Sequence, residues 1–243
     1  MLLLLSDAAV AAETTRIGTD MEKDRQNEAV ILLHGLVRSA RSMATMGRFL
    51  ETQGYAVVNQ GYPSRHHPVE TLSAMAIEPA LEKARDAGAD RIHFVTHSMG
   101  GILVRHYLSE HEIPELGRVV MIAPPSQGSE AVDRLRGLKL FEWLNGPAGK
   151  QLGTGPDSLP VRLGAANFEV GVIAGSFSIN PSLSLLIPGP DDGKVSVERA
   201  RLPGMKDFIV MPHSHPVVMS RPPVLYQTQH FLEQGSFDTS QTP

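Results

Sequence analysis

The sequence predicts an α/β protein with a doubly wound, mostly parallel β-sheet that is flanked by helices and carries a cap-like insertion. Three observations lead to this fold class. Short, continuous, β-branched apolar runs recur along the chain, which is typical of strands covered on both faces. Helical patterns separate the early runs, as right-handed crossovers between parallel strands require. With 243 residues, 42% of them hydrophobic and 20% charged, the chain can build a full core.

The elements follow one another in a regular order. The apolar runs at 29–33, 55–58, 92–95, 119–122, 170–174 and 208–211 are predicted as strands. Between the first two, Ser39 and Gly54 delimit a predicted helix, since Ser favours the N-cap and Gly the end of a helix. Between the second and third, apolar residues at helical spacing from Leu72 to Ala84 predict another helix, closed by Gly88.

We expect residues 26–243 to form a single domain in which 123–186 is a cap or insertion, because the regular alternation stops after Ile122 and Pro and Gly become frequent. Residues 1–25 are predicted to be a mobile N-terminus or the remnant of a secretion signal. A Leu run followed by small residues favours the signal, whereas Asp7 and the lack of a basic residue before the run do not. We therefore expect export, to the periplasm or outside the cell, rather than a cytoplasmic location.

The composition excludes several classes of protein. The 22 basic and 26 acidic residues give a net charge of −4, and no basic run is present, so we expect no nucleic-acid partner. No apolar stretch is long enough to predict an integral membrane span. Because the chain has no cysteine, a disulfide framework, a thiolate metal site and a cysteine nucleophile are excluded.

The segment 92–104 contains the most informative motif. An apolar strand runs directly into Ser98, and an apolar helix follows. This context predicts a nucleophile elbow, a tight strand-to-helix turn on which a serine hydroxyl projects above the sheet. Gly100 allows the backbone to pass close by, although Thr96 stands where the usual pattern has glycine. The alternative is that Ser98 is an ordinary helix N-cap.

A second motif supplies hydrogen-bond donors. The first predicted strand ends in His34, Gly35 and Leu36, and Gly35 permits a turn that directs the Leu36 N–H toward the serine. Together with the Met99 N–H it would form a two-donor oxyanion hole. This arrangement makes the N-cap interpretation of Ser98 less favourable.

A reactive serine also needs a base and an acid that orients the base. Downstream of Ser98, Asp191 and Asp192 lie in a Gly-rich turn, and His213 and His215 follow the last predicted strand. Both segments lie where strand ends direct loops toward a ligand crevice. The spacing alone leaves open which aspartate and which histidine take part.

Together these motifs resemble the α/β-hydrolase superfamily, and in particular the bacterial lipases and esterases, over about residues 28–235. The resemblance implies that the acid is Asp192, which directly precedes glycine in an Asp-Gly-x-Val turn, with Asp191 as the fallback. It also implies that the base is His215 rather than His213, since in this family the histidine follows the last strand by a few residues.

We therefore expect a serine hydrolase that cleaves carboxylic esters through an acyl-enzyme, with no cofactor and no metal ion. Its substrate would be a small-molecule ester or a lipid. An acyltransferase or thioesterase would use the same residues. A non-catalytic binding protein of this fold is a further alternative.

Phe141 and Trp143, in the predicted cap, are expected to line an acyl pocket that suits short or medium chains. The alternative is that these side chains only fill the core, as apolar stripes on helices commonly do.

Overall fold

The computed structural model describes Arg25 and residues 27–241. The N-terminal segment 1–25, predicted as a mobile terminus or a signal remnant, lies outside the described residues except for Arg25. Within them, six parallel strands form one sheet in the order β2-β1-β3-β4-β5-β6. The fold-class prediction is confirmed. The strands are β1 (Glu28–Leu33), β2 (Ala56–Gln60), β3 (Arg91–His97), β4 (Leu116–Ile122), β5 (Val170–Gly175) and β6 (Asp207–Met211).

Helices connect the strands and cover both faces of the sheet. They are α1 (Ala44–Thr52), α2 (Val69–Asp86), α3 (Met99–Glu110), α4 (Glu130–Leu135), α5 (Lys139–Lys150), α6 (Leu159–Arg162), α7 (Pro181–Ser184), α8 (Val197–Ala200) and α9 (Pro222–Gln234). Short 3-10 turns occupy Ala40–Met43, Val218–Ser220 and Thr239–Gln241. In the described part of the chain, no helix is both long and apolar enough to cross a membrane.

The core consists of two apolar layers, one on each face of the sheet. Buried residues of α2 and α3 pack on one face, and those of α1 and α9 pack on the other. Strand residues alternate between the layers: Ile31 faces α2 and α3, whereas Val30 and Leu32 face α1 and α9. Burial on both faces explains why inner strands such as β1 and β5 contain continuous apolar runs.

The connectivity places a crevice at the carboxyl end of the sheet. The chain passes from β1 outward to β2, and then crosses to β3 on the other side of β1. In parallel sheets, ligands bind where the order of strands reverses in this way, because the loops after the two central strands diverge there. The loop after β1 and the turn after β3 both lie at this point.

The predicted insertion at 123–186 is divided by the fold. β5 lies within that range and pairs with β4 and β6 in the sheet, so only the segments on either side of it can cover the crevice. Arg105 on α3 anchors the first of these segments by donating hydrogen bonds to the carbonyls of Ser126, Pro160 and Gly164, at 2.8, 2.9 and 2.8 Å. Burial lowers the pKa of the Arg105 guanidinium to about 10. The guanidinium ties three separate points of the loop-rich segment to the central helix.

Candidate active site

Ser98 occupies a strained turn between β3 and α3. Its φ and ψ angles are 54° and −122°, which few non-glycine residues adopt. The Ser98 N–H donates to the carbonyl of Ile122 at 2.9 Å, which holds the turn against β4. The Ser98 side chain makes no capping hydrogen bond within the helix. The geometry is that of an elbow rather than of an N-cap.

Two glycines allow the backbone segments around Ser98 to approach each other. A Cβ on Gly100 would lie 2.7 Å from the carbonyl oxygen of Leu33, so α3 can pack against the end of β1 only with glycine at this position. A Cβ on Gly35 would lie 3.0 Å from both the Ser98 Cβ and the His97 Nδ1. The turn after β1 is therefore in direct contact with the turn after β3.

His215 connects Ser98 to an aspartate. The His215 Nδ1 lies 2.7 Å from Asp192 Oδ2, and its Nε2 lies 3.1 Å from Ser98 Oγ. His215 and Asp192 are buried, and Ser98 is half-buried, so the hydroxyl can be reached from the crevice. With Nδ1–H donating to the carboxylate, Nε2 is left to accept the serine proton. The three side chains form one continuous hydrogen-bond chain.

The main chain fixes the carboxylate of Asp192. Its Oδ1 accepts hydrogen bonds from the N–H groups of Lys194 and Val195, both at 2.9 Å. The His215 N–H also donates to the Asp192 carbonyl, at 2.9 Å. Both carboxylate oxygens are thus satisfied, which offsets the cost of burying the charge. The carboxylate cannot turn away from His215 without breaking these bonds.

Asp191 and His213 take other positions. Asp191 Oδ1 accepts from the hydroxyl of Ser184, at 2.9 Å, and from the N–H of Gly193, at 2.7 Å. Asp191 therefore holds α7 against the turn. Burial, followed by the charge of Arg221, lowers the pKa of His213, and its Nε2 has no hydrogen-bond partner among the described residues. The structure brings Ser98, His215 and Asp192 together. Asp191 and His213 take no part in the hydrogen bonds that connect these three side chains.

We expect Asp192→Asn to reduce kcat by about 10³- to 10⁴-fold, because the amide cannot stabilise the imidazolium or hold its tautomer. Asp191→Asn is the matched control: it removes a neighbouring carboxylate that accepts hydrogen bonds from Ser184 and Gly193, and kcat should change by less than about tenfold. Steady-state kinetics on one activated ester compares the two variants. Equal losses would leave the acid unassigned.

The loop after β1 presents Leu36 to the crevice. Leu36 lines the cavity beside Ser98, and the loop is held by a hydrogen bond of 3.1 Å from the Val37 N–H to Ser64 Oγ. Val37 has a φ of 60°, so the loop turns sharply directly after Leu36. Met99 is the first residue of α3, where N–H groups lack partners within the helix. These two amides are the ones expected to bind an oxyanion.

His34 ties this loop to the segment after β2. Its ring stacks on that of Tyr62, with centroids 4.0 Å apart, and the Tyr62 hydroxyl donates to the His34 carbonyl. Burial lowers the pKa of His34 and raises that of Tyr62, so it favours the neutral form of both side chains. The His34 Nδ1–H donates to the Gly35 carbonyl at 2.9 Å. The turn that carries Leu36 is supported by uncharged, buried contacts.

His97 precedes Ser98 and contacts the backbone of His215. Its Nε2–H donates to the carbonyl of His215 at 3.0 Å. Burial, and then the charge of His215, hold the pKa of His97 well below its usual value, and it is therefore neutral. A neutral ring at this point helps to position the His215 backbone without placing a second positive charge beside it.

An apolar cavity of about 340 Å³ opens onto Ser98 and His215. Phe141 and Leu144 of α5 line it, as do Val132, Leu135 and Leu152. Trp143, in contrast, lies outside this cavity and is 70% exposed. In α5, residues 141, 144 and 145 share one helix face, whereas residue 143 is about 200° away from 141, on the outer face. The structure therefore places Phe141, but not Trp143, at the site.

Some residues of this site have no strong signature in the sequence. Tyr62 and Ser64 lie in the segment after β2 and make hydrogen bonds to the loop after β1. In the sequence, their segment is only a connection that contains Pro and His. Arg38 and Lys194 also line the cavity. Arg38 lies two residues after Leu36, and Lys194 lies two residues after Asp192. This closeness to predicted site residues is the only feature of the sequence that points to them. No three His, Cys, Asp or Glu side chains are grouped as metal ligands in the described ranges.

Comparisons with known proteins agree with the fold. A family model described as the alpha/beta hydrolase fold matches residues 28–154. The mature lipase BlEst2 of Bacillus licheniformis superposes with a TM-score of 0.65 at 17% identity, covering 86% of this chain and 92% of that one. The phospholipase PlaB of Legionella pneumophila gives a TM-score of 0.68 at 16% identity, covering 86% of this chain and 60% of that one.

The lipase B of Aspergillus fumigatus is a third similar structure, with a TM-score of 0.66 at 16% identity over 91% of this chain and 56% of that one. No curated protein matches the sequence. The family match covers more than half of the chain, and the parallel sheet has the expected fold. The chain belongs to the α/β-hydrolase superfamily.

Proposed function

We propose that this protein is a serine hydrolase that cleaves carboxylic esters through an acyl-enzyme intermediate. The observation that carries the proposal is the unbroken hydrogen-bond chain from Ser98 through His215 to Asp192, at 3.1 and 2.7 Å. A serine hydroxyl is a weak nucleophile unless an oriented base removes its proton. His215 is placed to act as this base, and the buried carboxylate of Asp192 orients its ring.

In the first half of the reaction, Ser98 Oγ attacks the ester carbonyl while His215 Nε2 takes the hydroxyl proton. The carbonyl oxygen becomes an oxyanion, which the N–H groups of Leu36 and Met99 bind. The imidazolium is stabilised by Asp192 and then gives its proton to the alcohol oxygen as the ester C–O bond breaks. The alcohol leaves, and the acyl group remains on Ser98.

In the second half, water attacks the acyl-enzyme. His215 Nε2 takes a proton from the water, the same two amides bind the second oxyanion, and the proton returns to Ser98 Oγ as the acid leaves. Each step uses groups of this chain, substrate and water. The proposal requires no cofactor.

The names of the structural neighbours agree with this class of reaction, since two are lipases and one is a phospholipase. An acyltransferase or a thioesterase would use the same three side chains and differ in the acceptor or the leaving group. A binding protein of this fold would show no turnover.

The experiment that tests the proposal compares substrates on the full chain. p-Nitrophenyl esters of increasing acyl length, acyl thioesters of the same lengths, and esters supplied together with alcohol acceptors would be assayed side by side. We expect the highest kcat/KM on oxygen esters, with the free acid as product. A thioester preference, or transfer of the acyl group to alcohol in preference to water, would replace the proposal by one of the alternatives. Absence of any turnover would favour a binding protein.

We also propose that the two segments beside β5 form a cap that limits the length of the acyl chain. Helices α4 and α5 supply Val132, Leu135 and Phe141 to the cavity, and α7 supplies Leu183. The cavity is apolar, and its modest size favours short or medium acyl chains. The proposed cap therefore consists of the segments that line the cavity, and it does not include β5, which lies within the predicted insertion 123–186.

Phe141→Ala should extend the acyl profile toward longer chains. Each additional methylene that the enlarged cavity accommodates is worth about 0.8 kcal/mol, or about fourfold in kcat/KM. Trp143→Ala is the matched control, because Trp143 is on the outer face of the same helix and should leave the profile unchanged. The measurement is kcat/KM across an ester series. An unchanged profile in Phe141→Ala, with a lowered Tm, would show that Phe141 only fills the core.

A further inference from the structure

Two cationic side chains lie at the rim of the catalytic cavity. Arg38 and Lys194 both line it, and both are exposed to solvent. Among the described residues, no carboxylate side chain lines this cavity, and neither cation forms an ion pair with one. The mouth of an otherwise apolar pocket therefore carries two positive charges; Asp192, whose negative charge acts on Lys194, does not line the cavity and is hydrogen-bonded to His215.

The two cations are held close to the proton-transferring groups. The Arg38 guanidinium donates to the carbonyl of Pro216, the residue after His215, at 3.1 Å. The Lys194 N–H donates to Asp192 Oδ1 at 2.9 Å, and the Lys194 carbonyl accepts from the Ser129 hydroxyl at 2.7 Å. The Lys194 backbone is thus fixed by a bond to Asp192 itself, and the head group of Arg38 is held by the residue that follows His215.

The cations also act on each other and on the site. Loss of hydration lowers the pKa of Lys194, and the positive charge of Arg38 lowers it further, whereas the negative charge of Asp192 raises it. The charge of Arg38 contributes as well to the low pKa of His97. Like charges that repel across a pocket mouth would be relieved by an anion between them.

The position of the cations indicates which part of an ester they would contact. In the proposed mechanism the alcohol oxygen receives its proton from His215, so the alcohol part lies on the His215 side of the cavity. Arg38 is bonded beside His215. The apolar wall formed by Val132, Phe141 and Leu144 is left for the acyl chain. The charged part of the lining would therefore contact the alcohol half of the ester, and the apolar part would contact the acyl half.

Resting on the proposed ester hydrolysis, we propose that the site selects esters whose alcohol part carries an anionic group, such as a carboxylate, sulfate or phosphate, and that Arg38 and Lys194 bind it. The source of the anion can be a small hydroxy acid or the head group of a lipid. Both cations are exposed, so each is expected to contribute about two- to fivefold to kcat/KM, and salt should reduce the effect.

The test uses butyrate esters that differ only in the alcohol: glycolate, its neutral amide, and choline. The measured quantity is the ratio of kcat/KM for the glycolate ester to that for the amide ester, because general damage to the enzyme cancels in a ratio. We expect a wild-type ratio of about four to twenty-five at low ionic strength, a decrease of about two- to fivefold in Arg38→Gln and in Lys194→Gln, and a ratio near one in the double variant. The choline ester should be the poorest substrate.

Arg41→Gln is the matched control, since it removes one exposed positive charge that does not line the cavity. Its ratio should equal that of the wild type. A wild-type ratio at or below one, a preference for the choline ester, or a ratio unaffected by both substitutions would overturn the inference. So would a larger gain from a charge on the acyl part, measured with the monoester of succinate. If none of these esters is hydrolysed, the proposed function itself fails.

If the anion preference is present, its source can be separated with glycolate esters and with monoacyl glycerophosphate. Both should depend on Arg38 and Lys194 if the charge alone is recognised. Dependence for the glycolate ester alone would narrow the inference to small hydroxy acids.

Discussion

Replacing Ser98 with alanine should reduce kcat for ester hydrolysis by about 10⁴- to 10⁶-fold. Without Oγ no acyl-enzyme can form. The N–H groups of Leu36 and Met99 could then only polarise the ester carbonyl for direct attack by water. The fold should persist, because the Ser98 N–H still bonds to the Ile122 carbonyl and the side chain makes no capping bond. Steady-state kinetics with far-UV circular dichroism checks both statements.

Ser109→Ala is a suitable control, since Ser109 lies on the same helix and its hydroxyl donates to the His106 carbonyl. This variant should retain kcat within about twofold. Activity of Ser98→Ala within about tenfold of the wild type would remove Ser98 from the nucleophile role.

Replacing His215 with alanine should be as damaging as replacing Ser98, because nucleophile and base act as one unit. His213→Ala should change kcat by less than about tenfold, since His213 has no hydrogen bond to Ser98 or Asp192 among the described residues. The comparison is kcat for the two variants on one ester, at a temperature where both are folded. The reverse ranking would transfer the role of base to His213.

His215→Ala leaves the buried Asp192 without its partner, and a lower Tm is therefore expected. His215→Gln serves as a second variant, because an amide can still donate to the carboxylate but cannot take the serine proton. Loss of kcat in both variants, with a smaller loss of Tm in His215→Gln, separates catalysis from stability.

The inner strands could be predicted from the sequence because they are buried on both faces and so contain continuous apolar runs, as in β1 and β5. The elbow could be predicted because its requirements are local: an apolar strand, one serine, a small residue two positions later and an apolar helix. Gly100 illustrates this, since the clash of a Cβ with the Leu33 carbonyl is decided within one strand-turn-helix unit.

Other features depend on contacts that sequence spacing does not contain. Adjacent residues in a turn point in different directions, so the choice between Asp191 and Asp192 required a family resemblance. Trp143 and Phe141 are both aromatic and two residues apart, and only the packing of α5 decides which of them faces the cavity. Arg38 and Lys194 look like ordinary solvated cations until the fold brings them to one rim.

The central claim is that Ser98 is an activated nucleophile in the folded protein. Incubation with a fluorophosphonate probe, followed by intact-mass measurement and peptide mapping, tests it without knowledge of the natural substrate. We predict one adduct per chain, located on Ser98, absent in Ser98→Ala and strongly slowed in His215→Gln. A folded wild-type protein that stays unlabelled, or a label that persists in Ser98→Ala, would contradict the account.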